Sequence, residues 1–148
     1  MLFLGIAAGI FGLDFFLKRY IEKRYARKVR HPKLGNLIYI EKYYNEGAML
    51  NALEKQPGLL KGLHTILLAG VCIWFYFVVR KNGGIMQKTG LAFLIGGGMN
   101  NLFDRYTKGH VVDYVEFGFG PKWLRKIVFN VSDFFVFIGA VLTIMGER

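Results

Sequence analysis

Four long apolar runs constrain the fold of this chain more than any other feature. They cover residues 1–17, 63–79, 89–103 and 127–145, and the basic residues lie mainly between them. A membrane helix needs about 20 predominantly apolar residues, within a usual range of about 17–25. The chain is 53% hydrophobic and yet carries a formal net charge of +10. We therefore predict an all-α membrane protein with four transmembrane helices, built as one domain over residues 1–148.

Two polar segments connect these runs. The segment between the first and second runs includes "NLIYIEKYYNEGAML", whose β-branched and aromatic residues favour strands. We predict a small β-rich segment there, between helices 1 and 2. The second polar segment, residues 104–126, joins the third run to the fourth. Four crossings place both segments on the same side of the membrane, so the unusual polar residues lie at one face.

The last apolar run contains a carboxylic acid, Asp133, in "FNVSDFFVFIGAV". A charged group deep in a membrane helix costs a few kcal/mol or more, and such groups usually face a protein interior and mark function. Asp133 follows Ile127 by six residues, which places it about 9 Å, roughly two helical turns, below the face. A structural acid paired with a basic residue is the alternative interpretation.

A second acid, Asp113, lies in "GHVVDYVEF", in the segment that leads back towards the fourth run. Two carboxyl groups held close together in a low-dielectric site cannot both ionise easily. One keeps a proton, and the pair then acts as general base and general acid around one water. The spacing leaves open whether Asp113 and Asp133 meet.

The third run ends in "GGGMNNLFDRYTKGH". Its glycines at 96–98 permit close helix approach. Asn101 is an amide inside a span, which needs hydrogen-bond partners and can offer hydrogen bonds to a substrate. Asp104 and Arg105 are interpreted as an ion pair at the membrane interface. Asn45, in "YYNEGAML", is weaker evidence because Asn-x-Gly is most often a turn.

These motifs, taken together, resemble those of bacterial lipoprotein signal peptidases, the type II signal peptidases. That family carries D-x-x-x-K, N-x-G-A-A-F, G-G-A-L-G-N-L-I-D-R, G-Y-V-V-D-F-I-D and F-N-I-A-D-S, in this order. The corresponding stretches here run in the same order over nearly the whole chain, and are Asp14 to Lys18, Asn45 to Ala48, "GGGMNNLFDR", "GHVVDYVEF" and "FNVSDF".

The resemblance implies a membrane-embedded aspartic endopeptidase. It would remove the signal peptide from diacylglyceryl-modified prolipoproteins, just before the lipidated cysteine. Asp113 and Asp133 would be the catalytic dyad, and Asp14 with Lys18 a structural pair. Supporting roles near the substrate are implied for Asn45, Gly47, Asn101, Arg105 and Asn130. Met49 and Leu50 depart from the family's Ala and Phe, which bears on substrate preference more than on chemistry.

The resemblance also implies partners and a location. The partners are diacylglyceryl-prolipoproteins and membrane lipids, with no nucleic acid, and the protein is expected to be a monomer. No metal or organic cofactor is implied, which agrees with the scatter of His31, His64 and His110 and with the single cysteine, Cys72. The implied location is the bacterial cell membrane, as a multi-pass protein whose active site opens at the extracytoplasmic face.

The distribution of basic residues opposes this orientation. The two motif-bearing segments hold 16 Lys and Arg residues, 11 in residues 18–62 and five in 104–126. The other face holds four, three in 80–88 and Arg148. The positive-inside rule would place the motif face in the cytoplasm. We follow the resemblance, because the substrate is external. The basic stretch 18–33 then lies on anionic headgroups of the outer leaflet or forms a solvated charged face.

Two functions of other classes stay open from the residues. One is a catalytically inactive relative, or a membrane scaffold that binds lipidated chains. The other is a proton-coupled transporter that uses Asp133 as a relay. The transporter accounts for one buried acid, but it does not explain why Asp113, Asn45 and Asn130 gather at the same face.

Overall fold

The computed structural model describes residues 1–47, 53 and 55–147. The first three predicted runs fall in α-helices, apart from Met1, whereas the fourth run, 127–145, begins four residues before its helix does. The helices extend beyond the apolar runs at several ends. The clearest case is the first helix, which continues past residue 17 into a basic stretch. Their bounds are α1 Leu2–Arg24, α2 Pro57–Arg80, α3 Ile85–Thr107 and α4 Val131–Met145, and a short 3-10 helix covers Leu124–Lys126.

A four-stranded antiparallel sheet lies at the motif-bearing end of the helices. Its strands are β1 (Arg30–Lys33), β2 (Ile38–Asn45), β3 (Val111–Phe117) and β4 (Val128–Phe129), in the order β1-β2-β3-β4. The strand expected in "NLIYIEKYYNEGAML" is confirmed as β2.

The β structure is not confined to the segment between helices 1 and 2, which corrects the prediction. Half of the strands come from the segment between α3 and α4. The physical reason is that an isolated hairpin is marginally stable, and β3 supplies β2 with a second hydrogen-bonded edge. In this pairing Asn45 lies opposite Val111, and Tyr43 lies opposite Asp113.

Helix α3 packs against α1, α2 and α4, and its glycines make the close contacts possible. A Cβ atom on Gly96 would lie 2.6 Å from the carbonyl oxygen of Ala7 on α1. One on Gly97 would lie 2.6 Å from the carbonyl oxygen of Ser132 on α4. The role predicted for these glycines in close helix approach is confirmed, and it places the polar end of α3 between α1 and the start of α4.

Several charged and polar side chains are buried, while many large apolar side chains are exposed. Lys18 is 1% exposed, whereas Phe137 is 71% exposed. By length and mean hydropathy α2 qualifies as a membrane span, and it does so alone among the described helices. Helices α1 and α3 carry buried charged side chains, and α4 is only 15 residues long.

Candidate active site

Asp113 lies on β3 with its side chain 2% exposed. Two asparagine side chains hold its two carboxylate oxygens. Nδ2 of Asn45 donates to Oδ2 at 2.9 Å, and Nδ2 of Asn130 donates to Oδ1 at 2.7 Å. The strand register brings Asn45 there, because β2 runs antiparallel to β3 and ends beside it.

Asp133 is the third residue of α4, and Asn130 is the cap of that helix. The backbone N–H of Asp133 donates to Oδ1 of Asn130 at 2.9 Å, and the backbone N–H of Asn130 donates to Oδ2 of Asp133 at 2.9 Å. This reciprocal capping box satisfies two N–H groups at the helix start. The expectation of a continuous helix from Ile127 to Asp133 is wrong, because β4 and the cap occupy residues 128–130 and the helix starts only at Val131.

The structure brings the two acids together, which the spacing left open. Asn130 contacts both carboxyl groups, and both line one cavity of about 400 Å³ together with Asn45, Asn101 and Arg105. Burial, followed by the charge of Asp133, raises the pKa of Asp113. A carboxyl group in this setting keeps its proton to a higher pH than in water.

Asn101 connects the acid pair to a second buried cluster. Its Nδ2 donates to Oδ1 of Asp133 at 2.8 Å, and its Oδ1 accepts from Nζ of Lys18 at 2.8 Å. A lysine ammonium can only donate, so Lys18 fixes which end of the Asn101 amide faces it. The opposite end, the NH₂ group, is thereby directed at Asp133.

Lys18 itself is buried among polar side chains. Its ammonium lies 3.2 Å from Asp14, 2.9 Å from Asp104 and 2.6 Å from Oδ1 of Asn100. We name these four residues, with Asn101, the lysine cluster. The pair of Asp14 and Lys18 singled out in the sequence is therefore part of a larger arrangement.

Asp104 and Arg105 do not form the ion pair that the sequence suggested. Among the described residues, the salt-bridge partners of Asp104 are Lys18 and Lys108. Arg105 instead donates from Nη2 to the carbonyl oxygen of Gly47 at 2.6 Å. This bond holds the chain just after β2 against α3. Met49 and Leu50, the departures from the family motif, lie outside the described residues.

Sequence reasoning missed Tyr114. Its hydroxyl donates to Oδ1 of Asp14 at 2.6 Å and accepts from the backbone N–H of Val131 at 3.2 Å. Burial and the Asp14 carboxylate raise the pKa of Tyr114, so the phenol stays protonated. The residue ties the lysine cluster to the start of α4. The available signal was its position beside Asp113 in a strand, because a buried tyrosine hydroxyl usually finds a partner.

The three histidines lie apart from the acid pair's cavity. His31 packs edge-on against Tyr25, and His110 stacks on Tyr44 with ring centroids 4.1 Å apart. His64 lines a neighbouring cavity of about 360 Å³, whose wall also includes Asp133. Asp133 therefore borders two cavities.

Fold and site together define a class of protein: a small four-helix protein with two buried carboxylic acids where its sheet meets its last helix. The model of the signal peptidase (SPase) II family matches residues 6–147. A lipoprotein signal peptidase of Chromobacterium violaceum is 31% identical, over 94% of this chain and 86% of its own length. One from Janthinobacterium sp. is 32% identical, over 97% of this chain and 86% of its own length. The chain belongs to the signal peptidase II family.

Solved structures share the fold. Two bacterial membrane enzyme structures superimpose with TM-scores of 0.84 and 0.83, at 20% and 22% sequence identity. Each match covers 98% of this chain, and 86% and 91% of the respective solved chains. Family membership supports the removal of signal peptides from lipoproteins, and the likeness to these two structures shows the fold.

Proposed function

We propose that this chain is a membrane-embedded aspartic endopeptidase that cuts diacylglyceryl-modified prolipoproteins just before the lipidated cysteine. One observation carries the proposal: Asp113 and Asp133 line the same cavity and are joined through Asn130. Two acids in one buried site share a proton, and a pair in that state supplies a base and an acid at once.

The reaction uses each member of the pair once, one as a base and the other as an acid. The unprotonated carboxylate accepts a proton from water as the water oxygen bonds to the carbonyl carbon before the cysteine. The protonated carboxyl donates its proton to the cysteine nitrogen as the C–N bond breaks. The signal peptide leaves with a new carboxyl terminus, and the lipoprotein with a free amine. General acid–base assistance of this kind contributes about 10²–10⁴-fold to a rate.

The cavity wall offers polar groups for the peptide on one side and an apolar surface on the other. Oδ1 of Asn45 is buried and has no hydrogen-bond partner in the described part of the chain, so it can accept from a backbone N–H of the substrate. The apolar wall includes Val136, Phe137 and Ala140 of α4. Because Phe137 is largely exposed, this side opens towards lipid, where the diacylglyceryl chains can stay.

All four helices cross the membrane in this proposal, as one domain over residues 1–148, and the acid pair faces the extracytoplasmic side. The exposed apolar side chains of α1, α2 and α4 support the crossings, because large exposed apolar surfaces in a helical protein fit a lipid environment. A reporter fused after residue 148 tests the orientation. The proposal requires a cytoplasmic C-terminus, and an extracytoplasmic reporter signal would contradict it.

The decisive assay compares cleavage of a lipidated precursor with cleavage of the same precursor without lipid. We expect turnover of the lipidated form, and loss of that turnover in both Asp113→Asn and Asp133→Asn. Equal turnover of the two precursors would reject lipid dependence. Retained cleavage in both variants would reject the dyad. A folded wild-type protein that binds the lipidated precursor without cutting it would favour the inactive relative or scaffold.

A further inference from the structure

A basic pocket lies where β2 and β3 meet the segment that leads into α4. It has a volume of about 390 Å³, and the acid pair does not line it. The side chains that matter here are one carboxylate, one phenol and four cations, namely Glu116, Tyr39, Arg30, Lys122, Arg125 and Lys126.

The charges in this pocket do not balance. Arg30 contacts Glu116 through two nitrogens and so neutralises the one carboxylate in the wall. Lys122, Arg125 and Lys126 are exposed, and within the described ranges their side chains make neither a hydrogen bond nor an ion pair. Three uncompensated cations around one concave surface attract an anion, and an arginine guanidinium matches the geometry of a phosphate.

The position of the pocket indicates where that anion comes from. Phe119 is 50% exposed and Trp123 is 57% exposed on the same segment, which then enters α4. Exposed aromatic residues next to a membrane helix lie at the level of the lipid headgroups. The pocket therefore opens at the depth where phospholipid phosphates lie.

We propose that this pocket binds the phosphate of an anionic phospholipid headgroup. The diacylglyceryl group of a prolipoprotein carries no phosphate, so the pocket is a separate site from the peptidase cavity, and the inference does not depend on peptidase activity. A lipid here would offset part of the positive charge that the positive-inside rule disfavours on this face. It would also hold the entry to α4 on the membrane surface.

Tryptophan fluorescence can test this directly. The chain has two tryptophans, so Trp74→Phe leaves Trp123 as a reporter beside the pocket. The full chain is placed in phosphatidylcholine vesicles that contain brominated phosphatidylglycerol or, for comparison, brominated phosphatidylcholine. We expect half-quenching at a lower content of the brominated anionic lipid. In K122Q/R125Q/K126Q that preference should fall by about tenfold or more, since each cation near anionic lipid contributes about fivefold.

A matched variant separates a built site from general surface charge. R19Q/K23Q/R24Q removes three exposed cations near the end of α1, and we expect it to keep the preference. Equal loss in both triple variants would overturn the proposal. Displacement of the lipid by inorganic phosphate, at an ionic strength matched with chloride, would also overturn it and assign the pocket to free phosphate.

Two further measurements keep the result interpretable. The thermal midpoint of the triple variant should match that of the parent, because the three side chains have no partners to lose. Should it fall, Arg125→Lys replaces it, and we expect a smaller but measurable loss of preference because charge is kept and bidentate geometry is removed. An unchanged preference in Arg125→Lys and in Arg125→Gln would overturn the proposal.

Discussion

The lysine cluster and the acid pair are both buried and polar, but different groups compensate the charges of their carboxylates. In the lysine cluster one ammonium is shared by two carboxylates and two amide oxygens. The acid pair is held by amide and backbone N–H donors, and no described cation lies within salt-bridge distance of Asp113 or Asp133. The acid pair also borders open cavities. A cluster whose carboxylates pair with an ammonium stabilises the fold, whereas acids without a paired cation beside a cavity are suited to chemistry.

The sharpest test removes one acid from each cluster. Asp133→Asn should lower kcat by about 10³-fold or more, because no proton acceptor or donor is left at that position. Its thermal midpoint should change little. Asp104→Asn should show the opposite, a lower midpoint with kcat largely kept. Cleavage of a lipidated precursor and thermal unfolding, both in detergent, measure the two effects. If both variants lose only stability, the distinction between the clusters is wrong.

Lys18→Met tests how much the lysine cluster stabilises the fold. It would leave Asp14 and Asp104 buried without their shared ammonium, and breaking a buried ion pair destabilises by about 3–5 kcal/mol. Thermal or denaturant unfolding in detergent measures this. Lys23→Met is the control, because Lys23 is exposed near the end of the same helix, and exposed substitutions usually change stability by about 0.5 kcal/mol or less. Similar unfolding of the two variants would contradict the structural role.

Two neighbouring asparagines of α3 form a matched pair for testing the contact between the lysine cluster and the acid pair. Asn100 and Asn101 both accept from Lys18, but only Asn101 donates to Asp133. A hydrogen bond to a charged group contributes about 1.5–3 kcal/mol, so Asn101→Ala should lower kcat by about 10–100-fold. Asn100→Ala should lower the unfolding midpoint and leave kcat within a few-fold of the parent. Equal effects on kcat would mean that the contact with Asp133 has no separate role.

The smallest expected effect is a change in pH dependence. Burial and Asp133 raise the pKa of Asp113, and the reaction needs one proton on the pair. Activity should therefore fall as pH rises through that raised pKa. Asn45 donates to the Asp113 carboxylate and favours its charged form, so Asn45→Ala should raise the pKa further. The alkaline limb of the kcat profile should then move to higher pH, and movement to lower pH would contradict this assignment.

Much of this architecture could be predicted from local sequence patterns. Apolar runs of near-membrane length located the four helices, and alternating β-branched and aromatic residues located β2. The two-residue strand β4 could not be predicted, because so short a segment carries no alternation to detect. For the same reason Asp133 was assigned to the helix interior, when β4 and the Asn130 cap place it in the first turn.

The site residues also divide into those that local sequence patterns indicated and those that they did not. Asp113 and Asp133 were evident as acids in apolar surroundings, and Asn101 as an amide inside a span. Asn45 was only weak evidence by itself, and its role and that of Asn130 followed from the resemblance to a family. Tyr114 was missed because its importance depends on two partners, Asp14 and Val131, that lie 100 and 17 residues away along the chain. No local pattern reports a contact across such a separation.

The sequence by itself determined which parts of this protein are helical and apolar, and which few polar residues interrupt them. Those properties follow from hydropathy and side-chain chemistry, which are local. Only the tertiary structure decided that Lys18 meets Asn100 and Asn101 across 82 and 83 residues, and that Asp113 shares Asn130 with Asp133. These meetings depend on glycine-mediated packing of α3 against α1 and α4 and on the register of β2 with β3, since both fix positions between distant segments.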